Sequence, residues 1–296
     1  MKILLLGNTG QLGWELERTL ATSGEVHAVD FPDLNLVDID GTVRLIREFR
    51  PQAIINATAY TAVDKAEQER ELADAINARG PGLLAEEARS LGAALIHFST
   101  DYVFDGAKGE PYVENDPPCP LGAYGESKLA GERAVAAVGG SYLIFRTAWV
   151  YSLRRDSFVT KVLQWARQHR TLKLVTDQVS NPTWCRMLAE ATGQLIAMGG
   201  SDLSGWVGER VGLYHLAGWG HCSRLEWGKE ILSLDKKKEE QVVEEVLPAF
   251  TGEFPAPADR PLYSALDCDR FLDTFGMRLP DWQEALRLAM DSASTG

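Results

Sequence analysis

The apolar run Ile3-Leu4-Leu5-Leu6 breaks into Gly7-Asn8-Thr9-Gly10-Gln11-Leu12-Gly13, and a helical spacing of Trp14, Leu16 and Leu20 follows at once. A short run with no polar alternation reads as a strand buried on both faces, which belongs to a parallel sheet covered by helices. Three glycines spaced GxxGxxG between such a strand and a helix allow a tight turn, close approach of backbone to a pyrophosphate, and close helix packing. The helix N-terminus then faces the anion. Gly7, Gly10, Gln11 and Leu12 are the cofactor contacts this predicts.

The alternation continues. Val26–Val29 reads as a second strand closed by Asp30, roughly 20 residues past the glycines, where an acidic side chain meets the adenosine ribose hydroxyls. No Arg or Lys lies between Asp30 and Gly41. That favours NADH and leaves NADPH open. Asp38 is placed over the adenine. A helix over 41–49 leads to a strand over 53–57, whose small-residue exit puts Ala57, Ala59 and Tyr60 against the cofactor. A helix over 71–91 precedes the strand 94–98, which delivers Thr100 to the same sheet edge. The polar, proline-bearing segment 108–123 borders the site as a loop.

Tyr124 and Lys128 lie four apart at the head of the next helix, so the phenol and the ammonium share a face. A nearby cation favours a phenolate; bringing a phenol to neutrality takes about three pKa units, roughly 4 kcal/mol. Such a phenol can trade a proton with an alcohol or ketone. Thr100 is placed to share a substrate oxygen with Tyr124. A strand over 142–145 completes this first unit.

The whole chain has 296 residues and a formal charge of −12, which argues against a nucleic-acid or anionic membrane surface. No apolar stretch reaches membrane-span length. Cys119, Cys185, Cys222 and Cys268 are widely spaced, which reads as a cytoplasmic protein with reduced thiols and no structural zinc. The expected fold is α/β, a Rossmann-like doubly wound parallel sheet, with an NAD(P)-binding domain over 1–151. Residues 152–296 are mainly a smaller α/β substrate-binding lobe whose strands can return to the sheet. Helices are expected over 157–169, 184–197 and 223–232 and after Pro280, with strands over 172–175 and 213–216. Segments 199–212 and 248–261 read as connections, Lys236–Glu240 as a solvated charged face, and His97 as a core residue. Glu15 and Glu190 read as solvated helix carboxylates.

Several segments together resemble the extended short-chain dehydrogenase/reductases, and within them the dTDP-4-dehydrorhamnose reductase family. These are Gly10–Gly13, 56–67, Ser99–Gly106, Tyr124–Glu132, Arg146–Tyr151 and Arg260-Pro261. The resemblance implies reduction of the 4-keto group of dTDP-4-dehydro-L-rhamnose by NADH or NADPH. Tyr124 would be the general acid, Lys128 would hold the nicotinamide ribose, and Thr100 would bind the keto oxygen. Asp101, Tyr102 and Trp149 would line the sugar pocket, with Arg260 on the diphosphate. The implied partners are the dTDP-sugar, a second copy of the chain and the preceding epimerase. A sugar-nucleotide dehydratase would carry a second carboxylate after the threonine, where this chain has Tyr102. Two rivals stand beside the reductase: a non-catalytic regulatory subunit like the β-subunit of methionine adenosyltransferase, and a sugar-nucleotide epimerase that recycles tightly held NAD.

Overall fold

The computed structural model describes residues 1–292. The first half runs β1 (Lys2–Leu6), α1 (Gln11–Leu20), β2 (Glu25–Val29), α2 (Ile39–Phe49), β3 (Ala53–Asn56), α3 (Val63–Ala66), α4 (Arg70–Asp74), a π turn (Ala75–Arg79), α5 (Gly80–Leu91), β4 (Ala94–Thr100), α6 (Ala123–Val138) and β5 (Tyr142–Thr147). The second half adds β6 (Val150–Tyr151), α7 (Phe158–Gln168), β7 (Thr171–Val175), β8 (Val179–Ser180), β9 (Thr183–Trp184), α8 (Cys185–Gly199), α9 (Leu203–Gly208), β10 (Gly212–His215), β11 (Cys222–Ser223), α10 (Arg224–Leu234), β12 (Glu245–Ala249), α11 (Asp269–Phe275) and α12 (Trp282–Ser292).

Six parallel strands form the central sheet in the order β10-β5-β4-β3-β1-β2. Alternate residues of β1 serve opposite faces, which explains its unbroken apolar run. Ile3 and Leu5 pack with Leu16 of α1 and Leu188 of α8, while Leu4 and Leu6 pack with Ile46 of α2 and Leu84 of α5. The chain leaves β1 for β2 on one side and then continues from β3 on the other. The order therefore reverses at β1/β3, and a crevice opens beyond their carboxyl ends.

The structure departs from the sequence reading in three places. Segment 199–212 contains helix α9, because Leu203 and Val207 are buried one turn apart and the Asp202 carboxylate accepts the Gly205 N–H at 3.0 Å. Residues 245–249 form β12, parallel to β7 and outside the central sheet, where Pro248 costs no central ladder. The helix expected over 71–91 is interrupted by the π turn. The turn carries buried Asn77, whose side chain donates to the Tyr60 carbonyl at 3.1 Å and to Ser127 Oγ at 3.0 Å and accepts the Tyr60 N–H at 2.9 Å.

Candidate active site

A cavity of about 800 Å³ fills the crevice at the β1/β3 reversal. Gly7 has φ +88, a conformation L side chains rarely adopt, and a Cβ there would lie 2.9 Å from the Ala57 carbonyl. A Cβ on Gly13 would come within 2.0 Å of the Gly7 carbonyl oxygen, so α1 presses directly on the turn. The helix opens at Gly10 with no side-chain cap, which leaves its first N–H groups turned to the crevice. The side-chain oxygens of Gln11, Thr58 and Thr147 also line the crevice, buried and with no hydrogen-bond partner among the described residues. Buried polar atoms are ordinarily satisfied, so these mark contacts awaiting a ligand. Asp30 closes β2 at the far end, where it accepts the Thr9 N–H at 3.2 Å and the Thr9 hydroxyl. This lining fits a dinucleotide. Gly13→Ala is expected to remove cofactor binding and lower stability by about 1–3 kcal/mol, the cost of overpacking, as checked by nucleotide titration and thermal melting.

The reacting groups gather at the sheet edge. Thr100 ends β4, and Tyr124 and Lys128 come from the first turns of α6. Glycines let α6 approach. A Cβ on Gly125 would lie 2.2 Å from the Tyr102 carbonyl oxygen, and one on Gly131 would lie 2.1 Å from that of Asn77. Lys128 is 2% exposed; its Nζ donates to the Phe98 carbonyl at 2.7 Å and lies 3.5 Å from His97 Nε2. Burial lowers Lys128 to about 8. The Tyr124 phenol is raised, chiefly by burial, with the Thr100 hydroxyl opposing and the Asp101 charge adding to the rise. This corrects the expectation that Lys128 draws the phenol down. The ammonium is spent on the Phe98 carbonyl, and the phenol stays protonated.

Gly7, Gly10, Gln11, Leu12, Asp30, Ala57, Ala59, Thr100, Asp101, Tyr102, Tyr124, Lys128 and Trp149 all line the crevice. Three expected contacts lie elsewhere. Asp38 caps α2, its carboxylate accepting the Gly41 N–H at 3.0 Å. The Tyr60 hydroxyl donates to Glu69, and its ring is not among the crevice residues. Arg260 pairs with both oxygens of Asp64, at 3.0 and 2.9 Å, and donates to the Ala258 carbonyl at 2.7 Å.

Arg260 instead lines a second cavity of about 1030 Å³, walled by Phe158, Lys161, Trp165, Lys173, Gln178 and Phe254. Arg224 lines both cavities. Its guanidinium carbon sits 3.5 Å from the Trp149 ring centre and 4.8 Å from that of Phe158, and no carboxylate pairs with it among the described residues. Burial lowers it to about 10, so it remains a cation. Trp149 itself has φ +40 and stacks on Trp227 at 5.5 Å and 12°. A non-glycine residue in that region persists only where its surroundings over-determine it.

The sequence reading passed over Arg224, yet a signal was present. Ser223 and Glu226 form a capping box, so Arg224 is the first residue of α10. A cation is disfavoured at that end of a helix, where anions are favoured. Such a misplaced charge points to an anionic partner from outside the helix.

A glycine-turn dinucleotide crevice with a threonine, a tyrosine and a lysine at its mouth defines a Rossmann-fold short-chain dehydrogenase/reductase. The chain matches the RmlD substrate binding domain family over residues 1–295, and it belongs to that family. It is 38% identical to a dTDP-4-dehydrorhamnose reductase of Burkholderia thailandensis over 98% of each chain. It is also 38% identical to one of Escherichia coli K12, over 100% of this chain and 99% of the other. The crystal structure of a dTDP-4-dehydrorhamnose reductase from Clostridium acetobutylicum matches with TM-score 0.90 at 37% identity, covering 100% of each chain. The Bacillus anthracis enzyme in complex with NADP matches with TM-score 0.88 at 34% identity, covering 98% of this chain and 99% of the other.

Proposed function

We propose that this protein reduces the 4-keto group of dTDP-4-dehydro-L-rhamnose to the alcohol, giving dTDP-L-rhamnose, with NADH or NADPH as reductant. The observation that carries this reading is one cation, with no carboxylate partner among the described residues, set in the lining of two cavities. Arg224 lines both the dinucleotide crevice that holds Thr100, Tyr124 and Lys128 and the second, aromatic-walled cavity. A sugar diphosphonucleoside has the matching layout: a keto sugar at the reacting groups, a diphosphate on Arg224, and a base and deoxyribose among Phe158, Trp165 and Phe254.

When bound, the reduced nicotinamide supplies a hydride to the carbonyl carbon. Negative charge then builds on the keto oxygen. The Thr100 hydroxyl stands beside that oxygen and can donate to it once its hydrogen leaves Asp101, and Tyr124 passes its proton to the same oxygen. A phenol held protonated by burial is ready for this step, because an alkoxide is a far stronger base than a phenolate. Lys128, one turn further along α6, offers to the cofactor ribose the N–H groups that the Phe98 carbonyl leaves free. Tyr102 and Trp149 confine the sugar.

The two halves of the chain divide this work at about residue 151, with the second half supplying Arg224 and the base-binding walls. The reading extends to a cytoplasmic setting, which four unpaired cysteines support. It also extends to a homodimer and to association with the preceding epimerase, both checked by sedimentation. The test of the activity is oxidation of NADH or NADPH on mixing with enzymatically generated dTDP-4-dehydro-L-rhamnose. Consumption of one reductant per sugar supports it. A protein that binds the nucleotides and consumes none would instead be a regulatory subunit.

A further inference from the structure

Asp101 is a buried carboxylate beside the reacting groups, 2% exposed, to which the reaction above gives no task. Its two oxygens face different parts of the molecule. Oδ2 accepts the Ser180 hydroxyl at 3.1 Å and the Ser264 hydroxyl at 2.5 Å, both from the second half of the chain. Oδ1 accepts the Thr100 hydroxyl at 3.3 Å. Thr100 Oγ1 in turn accepts the Tyr102 N–H at 3.2 Å. Thr100 therefore has one hydrogen and two claimants, the carboxylate behind it and a substrate oxygen in front.

We propose that Asp101 is a positioning residue that sets the donor or acceptor polarity of Thr100, in a way that rests on the reductase reading above. As a carboxylate it holds the Thr100 hydrogen, and Thr100 then presents a lone pair to the crevice, which suits an alcohol. As a carboxylic acid it donates from Oδ1 to Thr100 Oγ1. The threonine hydrogen is then released toward a ketone. One proton from solvent is taken up in the exchange and no other bond changes.

Burial brings Asp101 up to about 6, with the Ser264, Ser180 and Thr100 hydroxyls opposing. The ionisable groups facing it are Tyr102 in the same turn, Tyr124 on α6 and Arg224 on α10. Both tyrosines are raised by burial and Arg224 stays charged, so Asp101 is the member of this group that changes charge between about pH 5 and 7. Lys128 titrates above it, at about 8.

Asp101→Asn copies the acid form, because the two serine hydroxyls donate and so turn the amide oxygen toward themselves. The NH2 group is left to donate to Thr100. The experiment is single-turnover reduction of the keto sugar against pH, with thermal melting alongside. The wild-type rate is expected to rise about fivefold as pH falls through about 6, the factor one hydrogen bond of ordinary net strength is worth. Asp101→Asn is expected to keep the higher plateau with no inflection there. Ser264→Ala removes a donor to the carboxylate and is expected to move the wild-type inflection to higher pH. Melting needs no substrate. Asp101→Asn should melt a few degrees, roughly 2–6 °C, above wild type near pH 7.5, because it lacks the buried charge. The gap should narrow toward pH 5 as the wild-type carboxyl gains its proton. An inflection unchanged in Asp101→Asn, one unmoved in Ser264→Ala, or a melting gap independent of pH overturns the proposal. A wild type that consumes no reductant overturns the reductase reading instead, and the melting gap still decides whether Asp101 ionises as proposed.

Discussion

Tyr124→Phe is expected to lower kcat by a factor of about 10²–10⁴, the range spanned by removal of a positioned general acid, while the dissociation constant for NADH or NADPH stays within about twofold of wild type. The substitution deletes one hydroxyl and keeps the ring, so the edge-on contact with Tyr102, at 5.7 Å and 77°, survives. Lys128 holds its place through the Phe98 carbonyl and needs nothing from the phenol. Steady-state rates with saturating keto sugar, set beside a fluorescence titration of the nucleotide, separate the two quantities. A parallel loss of nucleotide affinity would move Tyr124 from proton donor to cofactor anchor.

Arg224→Leu should act on the other quantity. It is expected to raise KM for the sugar nucleotide by about 10–150-fold, which corresponds to the roughly 1.5–3 kcal/mol carried by charge-assisted hydrogen bonds. kcat at saturation should change far less, since a contact with the diphosphate would be made in ground state and transition state alike. Thermal stability should hold. A half-buried cation with no carboxylate partner among the described residues is costly to desolvate, and its contacts with Trp149 and Phe158 return energy of similar size. If KM is unchanged, the diphosphate belongs to Arg260, which would then have to leave Asp64 when substrate binds.

What the sequence disclosed follows from how locally each feature is encoded. The β1 turn, Asp30, Thr100 and the Tyr124/Lys128 pair are each specified within a few residues, by glycines or helical spacing, and all of them line the crevice. Asp38 was misplaced because its carboxylate serves the first turn of α2, a use equally local and equally compatible with the same letters. Arg260 could be named as a cation near the site, but its pairing with Asp64 spans 196 residues and leaves no local trace. The tuning of Tyr124 failed as an expectation for a related reason. Spacing shows that a lysine shares the phenol's face, but it shows neither the depth of burial nor the carbonyl that claims the ammonium. The grip of Ser180 and Ser264 on Asp101 is likewise invisible until three distant segments are brought together.

The central sheet has a consequence for the order in which the chain can be made. Its sixth strand, β10, comes from residues 212–215 and covers the free side of β5. A nascent chain released from the ribosome only as far as residue 151 could form five strands, yet it would present β5 as an open edge with Leu143, Ile144 and Phe145 along it. Open apolar edges invite pairing with other chains. Synthesis must therefore deliver some sixty further residues before β5 is covered. A fragment cut at residue 151 should aggregate more readily than the full chain.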